Sequence, residues 1–286
     1  MYDFIRAASI VPKLEVGNTE FNTDEILKGL KKAEKAGADI AIFPELAVTG
    51  YTCADLFFQQ KLIRAVKCAV ARICEEKFTL TAIVGAPLEI SGQLYNAALI
   101  ICGGRIRGIV PKTFLPNYNE FYEKRWFSES TDLKRKTVKS RELGLKDDYE
   151  IPVGRDLIFN IADEVRFGVE VCEDLWTAIP PSGFLAVGGA ELIVNLSASN
   201  ETISKRRYRR ELVAQQSARC IAGYIYTSSR EGESTTDLVF SGHTVIAENG
   251  TVIAENEASA DGDYMIVQDI DCGKIKADRL KIKTFK

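Results

Sequence analysis

Apolar segments typical of buried strands alternate along the chain with segments of helical period. The predicted strands of the first half are residues 4–11, 40–43, 81–86, 96–102 and 105–110. The predicted helices between them are residues 24–35, capped near Thr23, and residues 55–76, whose apolar positions recur every three or four residues. Gly103 and Gly104 separate two strands and predict a hairpin turn. This half therefore predicts a mixed sheet covered by helices.

The second half repeats the alternation of strands and helices. Its predicted strands are residues 157–161, 165–171, 192–195, 224–228, 244–247, 251–254 and 264–269, and residues 204–222 are a predicted helix. Between the halves, residues 113–154 are rich in charge and lack a clear period, so we interpret them as a long loop with partial helix. No break in composition divides the chain. The pattern indicates a single α/β domain over residues 1–286.

Composition narrows the classes of protein that this sequence can belong to. The net charge of −3 and the pI near 5.5 argue against a nucleic-acid partner, whose binding domains are usually basic. The N-terminal apolar segment is a strand and not a signal peptide, and the sequence contains no apolar stretch of membrane-spanning length. Seven cysteines without a CxxC pair, with a single histidine, predict no metal site. We expect a reduced, soluble, cytoplasmic protein without a membrane partner.

Three polar residues each follow an apolar strand. Glu45, Lys112 and Cys172 stand directly after predicted strands, where α/β folds gather their functional groups. Taken singly, each has an ordinary structural interpretation: Glu45 as a surface glutamate, Lys112 as a solvated lysine and Cys172 as a buried structural cysteine. A cysteine nucleophile needs a base, and the single histidine, His243, lies far along the chain. If Cys172 is a nucleophile, its base is a carboxylate or a lysine.

Four stretches of the chain resemble the carbon–nitrogen hydrolase (nitrilase) superfamily, whose members use a Glu–Lys–Cys triad in this chain order. The stretches are residues 43–51 (FPELAVTGY), 111–123 (PKTFLPNYNEFYE), 172–176 with 180–183 (CEDLW and PPSG), and 195–200 (NLSASN). Within the superfamily they are most similar to the glutamine-hydrolysing domain of glutamine-dependent NAD synthetases. The resemblance extends over nearly the whole sequence and implies a four-layer α-β-β-α sandwich.

The resemblance also implies a role for each residue of the triad. Glu45 would be the general base, Cys172 the nucleophile that forms a thioester, and Lys112 would stabilise the oxyanion together with the backbone N–H of Glu173. Glu123 matches a second glutamate that supports the lysine or the substrate. A solvated charge within a charged loop is the alternative for Glu123.

The same branch implies a glutamine pocket. The matching positions are Tyr51, Tyr118, Phe121, Ser199 and Lys205. The aromatic residues would form the wall, and Ser199 would bind a polar end of the substrate. Lys205 departs from the arginine that is frequent there, and a lysine pairs with a carboxylate without bidentate geometry. It also opens a basic run, so a solvated helix face or a subunit contact is the alternative.

The synthetases of this branch carry a second domain with a Ser-Gly-Gly-x-Asp-Ser loop, which does not occur in this sequence. We therefore expect ATP and Mg²⁺ to belong to that absent domain, and no cofactor here. The expected function is hydrolysis of glutamine to glutamate and ammonia, with the synthetase domain as partner and a homo-oligomeric state. A free-standing amidase for another small amide and a non-catalytic partner-binding subunit are the alternatives.

Overall fold

The computed structural model describes residues 3–161, 164–233, 238–256 and 265–285. The strands are β1 (Phe4–Ile10), β2 (Ile40–Ile42), β3 (Thr81–Ile90), β4 (Gln93–Cys102), β5 (Arg105–Pro111), β6 (Thr137–Lys139), β7 (Glu150–Pro152), β8 (Ile158–Ile161), β9 (Val165–Val171), β10 (Leu192–Ser197), β11 (Gly223–Ser228), β12 (Thr244–Glu248), β13 (Thr251–Glu255) and β14 (Met265–Asp271). The helices are α1 (Thr19–Lys35), α2 (Gln60–Glu75), α3 (Pro181–Val187), α4 (Lys205–Cys220) and α5 (Cys272–Lys281). Within these ranges, none of the helices has the length and apolar character that crossing a bilayer requires.

Two six-stranded sheets are built on the same plan. Their strand orders are β14-β1-β2-β3-β4-β5 and β13-β12-β11-β10-β9-β8. In each sheet the three central strands are parallel, β1 to β3 in the first and β9 to β11 in the second, and antiparallel strands flank them. Strand β14 returns from the end of the chain to pair with β1, in a register that places Phe4 opposite Asp271. The first and the last strand in chain order therefore lie side by side at one edge of the first sheet.

Hydrophobic side chains divide the molecule into four layers. In β1, Ile5 and Ala7 face the second sheet, whereas Ala8 and Ile10 face the helices, as the two-residue period of a strand requires. Helices α1 and α2 cover the outer face of the first sheet, and α3 and α4 cover the outer face of the second. The core between the sheets consists mainly of aliphatic residues from both of them, with Phe167 among the exceptions. The predicted α-β-β-α sandwich is confirmed.

The helix boundaries differ from the sequence-based expectation. Helix α1 begins at Thr19, and the Asn18 side chain accepts a hydrogen bond from the Phe21 N–H at 3.2 Å. Thr23, the expected cap, lies inside the helix, where its hydroxyl donates to the Thr19 carbonyl at 2.6 Å. Asparagine and threonine are both good caps, so the sequence did not distinguish them. Helices α3 and α5 were not predicted because α3 is short and α5 has only a weak apolar face.

The segment 113–154 is more ordered than a loop. It contains three short 3₁₀ turns and the antiparallel pair β6–β7. Val138, Leu143 and Ile151 anchor the segment in the core on the helix side of the first sheet. The expected partial helix is present, but three-residue strands are too short to show a period in the sequence. For the last strand, residue 264 lies outside the described residues, and β14 begins at Met265.

Candidate active site

The ends of three strands bring Glu45, Lys112 and Cys172 to one region. Strand β5 runs in the direction of β2 and β3, because β4 is antiparallel to both of its neighbours. Lys112 directly follows β5, Cys172 directly follows β9, and Glu45 lies in the turn after β2. The backbone N–H of Glu45 donates to the carbonyl of Ser197, the last residue of β10, at 3.3 Å. The two sheets therefore present these three residues at a common edge.

A buried ammonium stands at the centre of the site. The Lys112 Nζ lies 2.6 Å from Glu45 Oε1 and 2.5 Å from Glu123 Oε1. All three side chains are 1% exposed or less. Burial lowers the pKa of Lys112, but the charges of Glu123 and Glu45 more than reverse this, so the pKa lies well above its ordinary value. Lys112 therefore stays protonated between two carboxyl groups.

Two further donors surround the carboxyl groups. The Asn96 Nδ2 donates to Glu45 Oε1 at 2.6 Å and lies 3.3 Å from Glu123 Oε2. The Tyr51 hydroxyl donates to Glu123 Oε1 at 2.7 Å. Burial raises the pKa of Glu123 to about 7, against the opposing effect of the Lys112 ammonium. Sequence reasoning missed Asn96, although a polar residue inside the apolar strand β4 was a usable signal.

Cys172 is held as a neutral thiol in a strained backbone conformation. Its φ of +46° is left-handed, a conformation that costs a non-glycine residue about 1–3 kcal/mol. Burial raises the pKa of the thiol above its ordinary value, the charge of Glu45 raises it further, and Lys112 opposes both. Thiolates are the reactive form of cysteine. This thiol therefore needs a base before it can attack a carbonyl carbon.

Asp174 forms hydrogen bonds to both of the chain segments that carry Lys112 and Cys172. Its carboxylate accepts hydrogen bonds from the backbone N–H groups of Val171 at 2.9 Å, Phe114 at 2.8 Å and Thr113 at 3.1 Å. The side chain is buried, so these bonds are shielded from water. Asp174 thus fixes the distance between the end of β9 and the end of β5.

The three aromatic residues predicted for the substrate pocket pack against one another next to the carboxyl groups. Phe121 is buried and packs edge-on against Tyr51, with ring centroids 6.4 Å apart, and against Tyr118 at 6.0 Å. The Tyr118 hydroxyl lies 2.9 Å from both carboxylate oxygens of Glu173. Glu173 is in the first turn of the 3₁₀ helix that begins at Cys172, where backbone N–H groups have no partner within the helix. The structure brings all four residues to the site.

Ser199 and Lys205 follow the end of β10 along the chain. Ser199 is buried, and its backbone N–H donates to Ser228 Oγ at 2.9 Å. The Lys205 Nζ donates to the Asn200 side chain and lies 5.1 Å from the centroid of the Trp176 ring. Burial lowers the pKa of Lys205. Lys205, the first residue of α4, therefore contacts the loop before that helix and the 3₁₀ helix that begins at Cys172.

The single histidine, His243, contacts groups outside the triad. His243 is buried, its Nδ1 lies 3.0 Å from the Arg209 guanidinium, and its Nε2 lies 2.9 Å from Glu255 Oε1. Burial and the surrounding arginines lower the pKa of His243 to about 2. The ring is therefore neutral, accepting from Arg209 at Nδ1 and donating to Glu255 at Nε2. Both ring nitrogens are used in packing α4 against the second sheet.

Comparison with known sequences identifies the family. The sequence profile described as "Carbon-nitrogen hydrolase" matches residues 6–280. The chain belongs to the carbon–nitrogen hydrolase family. It is a hydrolase by class, as the sequence motifs predicted.

Several relatives in the family have been named. The chain is 36% identical over 286 residues to a "Glutamine-dependent NAD(+) synthetase" of Mycobacterium leprae, covering 99% of this chain and 41% of that protein. It is 38% identical over 288 residues to the protein of the same name from Mycobacterium tuberculosis, covering 99% and 41%. The chain thus spans about two fifths of the length of these relatives.

Solved structures share the fold. A glutamine-dependent NAD(+) synthetase from Cytophaga hutchinsonii superposes with a TM-score of 0.77 and 28% identity, over 94% of this chain and 43% of that one. An amidase from Nesterenkonia sp. superposes with a TM-score of 0.74, over 98% and 95% of the two chains, at 16% identity. The second likeness supports the fold alone. The resemblance that the sequence motifs indicated is confirmed.

Proposed function

We propose that this chain hydrolyses the side-chain amide of glutamine to glutamate and ammonia, and that the ammonia supplies NAD synthesis. The observation that carries the proposal is the buried ion cluster of Glu45, Lys112 and Glu123 beside the protonated thiol of Cys172. Membership of the carbon–nitrogen hydrolase family and relatives named for glutamine-dependent NAD synthesis support it. The cluster provides a base, an oxyanion partner and a nucleophile without a histidine.

In the first half of the reaction the thiol is acylated. Glu45 removes the Cys172 proton as the sulfur attacks the amide carbon of glutamine, and a C–S bond forms. The negative charge develops on the amide oxygen, where the Lys112 ammonium and the backbone N–H of Glu173 stabilise it. Glu45 then returns the proton to the amide nitrogen, the C–N bond breaks, and ammonia leaves behind a thioester.

In the second half water releases glutamate. Glu45 takes a proton from a water molecule as the water oxygen attacks the thioester carbon. The same oxyanion partners stabilise the second tetrahedral intermediate. The C–S bond then breaks, the sulfur recovers the proton from Glu45, and the free thiol is restored. Each step balances within the triad, so we expect no cofactor in this reaction.

The surrounding residues would hold the amino-acid part of the substrate. Tyr51, Tyr118 and Phe121 form the aromatic wall, and their packing against each other fixes its shape. Ser199 and Lys205 offer polar groups, with the Lys205 ammonium suited to a carboxylate. The ammonia-consuming partner would be a synthetase domain, and ATP and Mg²⁺ would serve the partner's reaction. A homo-oligomeric state and a cytoplasmic location stay predictions.

The decisive test is glutamate release from glutamine by this chain, compared with a panel of other small amides. We expect Cys172→Ala to reduce turnover by about 10⁴-fold or more, because the remaining members of a catalytic unit retain little activity without the nucleophile. Cys74→Ala is a matched control, since Cys74 is a buried cysteine of α2 remote from the site.

Three other outcomes would each contradict the proposal. Normal turnover by Cys172→Ala would remove the nucleophile assignment. Strong preference for another amide would make the chain an amidase of different specificity. Folded protein that hydrolyses no amide, with or without a synthetase domain, would favour a partner-binding role.

A further inference from the structure

The two carboxylate oxygens of Glu45 have unlike surroundings. Oε1 accepts hydrogen bonds from the Lys112 Nζ and the Asn96 Nδ2, each at 2.6 Å. Oε2 is buried and has no hydrogen-bond partner among the residues that the structure describes. Leaving a buried acceptor without a partner is unfavourable, so each such atom in a native structure calls for an explanation. The asymmetry therefore points to a use for Oε2.

Asn96 is held firmly in the position from which it makes this contact. It lies inside β4, is 1% exposed, and its backbone carbonyl accepts the Lys112 N–H at 2.8 Å. The orientation of its amide follows from chemistry, because the reversed amide would place its oxygen against the carboxyl groups of Glu45 and Glu123. The side-chain oxygen of Asn96 is likewise buried, and no described group donates to it. The Asn96 side chain therefore acts on the two carboxyl groups as a hydrogen-bond donor.

We propose that Asn96 is a positioning residue that, with Lys112, selects Oε2 of Glu45 as the oxygen that takes and returns the proton. This inference rests on the proposed function, in which Glu45 is the base. The two donors occupy the lone pairs of Oε1 and leave those of Oε2 free for the thiol and then for water. The same two hydrogen bonds stabilise the carboxylate form of Glu45.

Other titratable groups near Glu45 come from several elements. They are Lys112 after β5, Glu123 in its 3₁₀ turn, Cys172 and Glu173 after β9, Tyr51 after β2, and Glu233 after β11. Substitution of the neutral Asn96 by alanine or serine leaves all of them in place. A change in the pH profile of such a variant therefore reports the lost amide donor.

The test compares pH profiles of kcat/KM for glutamine in the wild type, Asn96→Ala and Asn96→Ser. We expect the acidic limb of Asn96→Ala to move up by about one to two pH units, which corresponds to the loss of one hydrogen bond to a charged acceptor. We expect kcat at neutral pH to fall by about 10- to 100-fold with KM unchanged. Asn96→Ser, whose hydroxyl restores a donor, should lie between the two.

Gln93→Ala is the matched control. Gln93 begins the same strand, and its side chain bonds only the Tyr95 hydroxyl among the described contacts. We expect its profile to match that of the wild type. If both Asn96 variants lose kcat with an unmoved acidic limb, or raise KM alone, Asn96 is a structural residue or a substrate contact, and the proposal is wrong.

Alkylation of Cys172 by iodoacetamide separates this inference from the choice of substrate. The sulfur displaces iodide and its proton passes to the base, so the pH dependence of alkylation reports the same base without glutamine. If the wild type does not hydrolyse glutamine, the proposed function fails, yet an upward shift in the alkylation profile of the Asn96 variants would still support the inference. An identical profile in wild type and both variants would overturn it.

Discussion

At the scale of single residues, burial decides which side chains carry charge. The Cys172 thiol and the His243 ring are neutral because little water reaches them, whereas Lys112 stays charged because two carboxyl groups contact its ammonium. Breaking a buried ion cluster by removing one partner is strongly destabilising, by about 3–5 kcal/mol for a single pair. Substitutions at Lys112 therefore combine a stability effect with any effect on turnover, and the neutral residues offer cleaner tests.

His243 predicts a dependence of stability on pH. Its pKa of about 2 in the folded chain compares with about 6.5 in the unfolded chain, so below pH 6.5 only the unfolded chain binds the proton. The free energy of unfolding should therefore fall by about 1.4 kcal/mol for each pH unit below 6.5. We expect His243→Gln to lack this contribution, so the stability difference between wild type and variant changes by about 2 kcal/mol between pH 7.5 and 5.0.

Urea denaturation of both proteins at the two pH values measures that difference. Glutamate release by His243→Gln at pH 7.5 serves as the control and should remain within about twofold of the wild type, because both ring nitrogens contact groups outside the triad. An unchanged stability difference at the two pH values would show that the native ring takes up its proton over the same pH range as the unfolded chain. A large loss of turnover in a stable variant would place the histidine in the chemistry.

At the scale of elements, β3 supports the turn that carries Glu45. A Cβ added at Gly85 would lie 2.4 Å from the Leu46 nitrogen and 2.5 Å from the Pro44 oxygen. The Gly85 carbonyl also accepts the Val48 N–H at 3.1 Å. Backbone atoms cannot yield as a flexible side chain can, so only glycine allows the strand and the turn to approach this closely.

Gly85→Ala should therefore displace Glu45 and impair the reaction. We expect glutamine turnover to fall by about 10- to 100-fold, since misplacing a catalytic group by 1 Å can cost about 10² in rate. Stability should fall by about 1–3 kcal/mol through overpacking. Initial rates at saturating glutamine and thermal denaturation check both expectations.

Gly183→Ala is the control for a glycine without such contacts. A Cβ at Gly183, in α3, meets nothing within 4 Å. We expect unchanged turnover and a stability equal to or up to about 1 kcal/mol above the wild type, because alanine favours the helix. If Gly85→Ala turned over glutamine as fast as Gly183→Ala, the turn after β2 would not be what positions Glu45.

At the scale of the whole molecule, the site lies below the surface. Glu45 is 0% exposed, Lys112 1% and Cys172 6%, so the access of glutamine to them depends on the arrangement of the surrounding segments. Residues of the segment 113–154, including Phe121 and Glu123, form part of these surroundings. The chain covers 41% of the length of its named relative from Mycobacterium leprae. A partner that favours an open arrangement would raise turnover without adding a catalytic group.

We therefore expect this chain alone to hydrolyse glutamine slowly, and faster when the synthetase domain of a relative is joined to it. Glutamate release with and without that domain measures the effect, and hydrogen exchange of residues 113–154 shows whether their protection changes in parallel. Asp147→Ala, an exposed substitution within the segment, is a control expected to leave both measurements unchanged. Equal turnover with and without the domain, together with equal protection, would show that the site opens without a partner.

Local patterns in the sequence determined much of this protein. The alternation of apolar strands and amphipathic helices predicted the layered fold, because burial imposes those periods on any sequence. Glu45, Lys112 and Cys172 were predictable as neighbours, since each follows a strand and such strand ends meet at one edge. The helix boundary at Thr19 and the short pair β6–β7 were not, because equivalent caps compete and three residues show no period.

Only the tertiary structure decided which groups of the site contact one another. Asn96 contacts Glu45 across 51 residues of sequence, and Asp174 binds Thr113 across 61. A period of two or 3.6 residues tells which face of an element is buried but not which residue of another element it meets. Contacts between distant elements therefore decide which oxygen of Glu45 is occupied and which ring nitrogen of His243 accepts. The same contacts decide which buried groups are charged. The packing of the two sheets against each other determines these contacts.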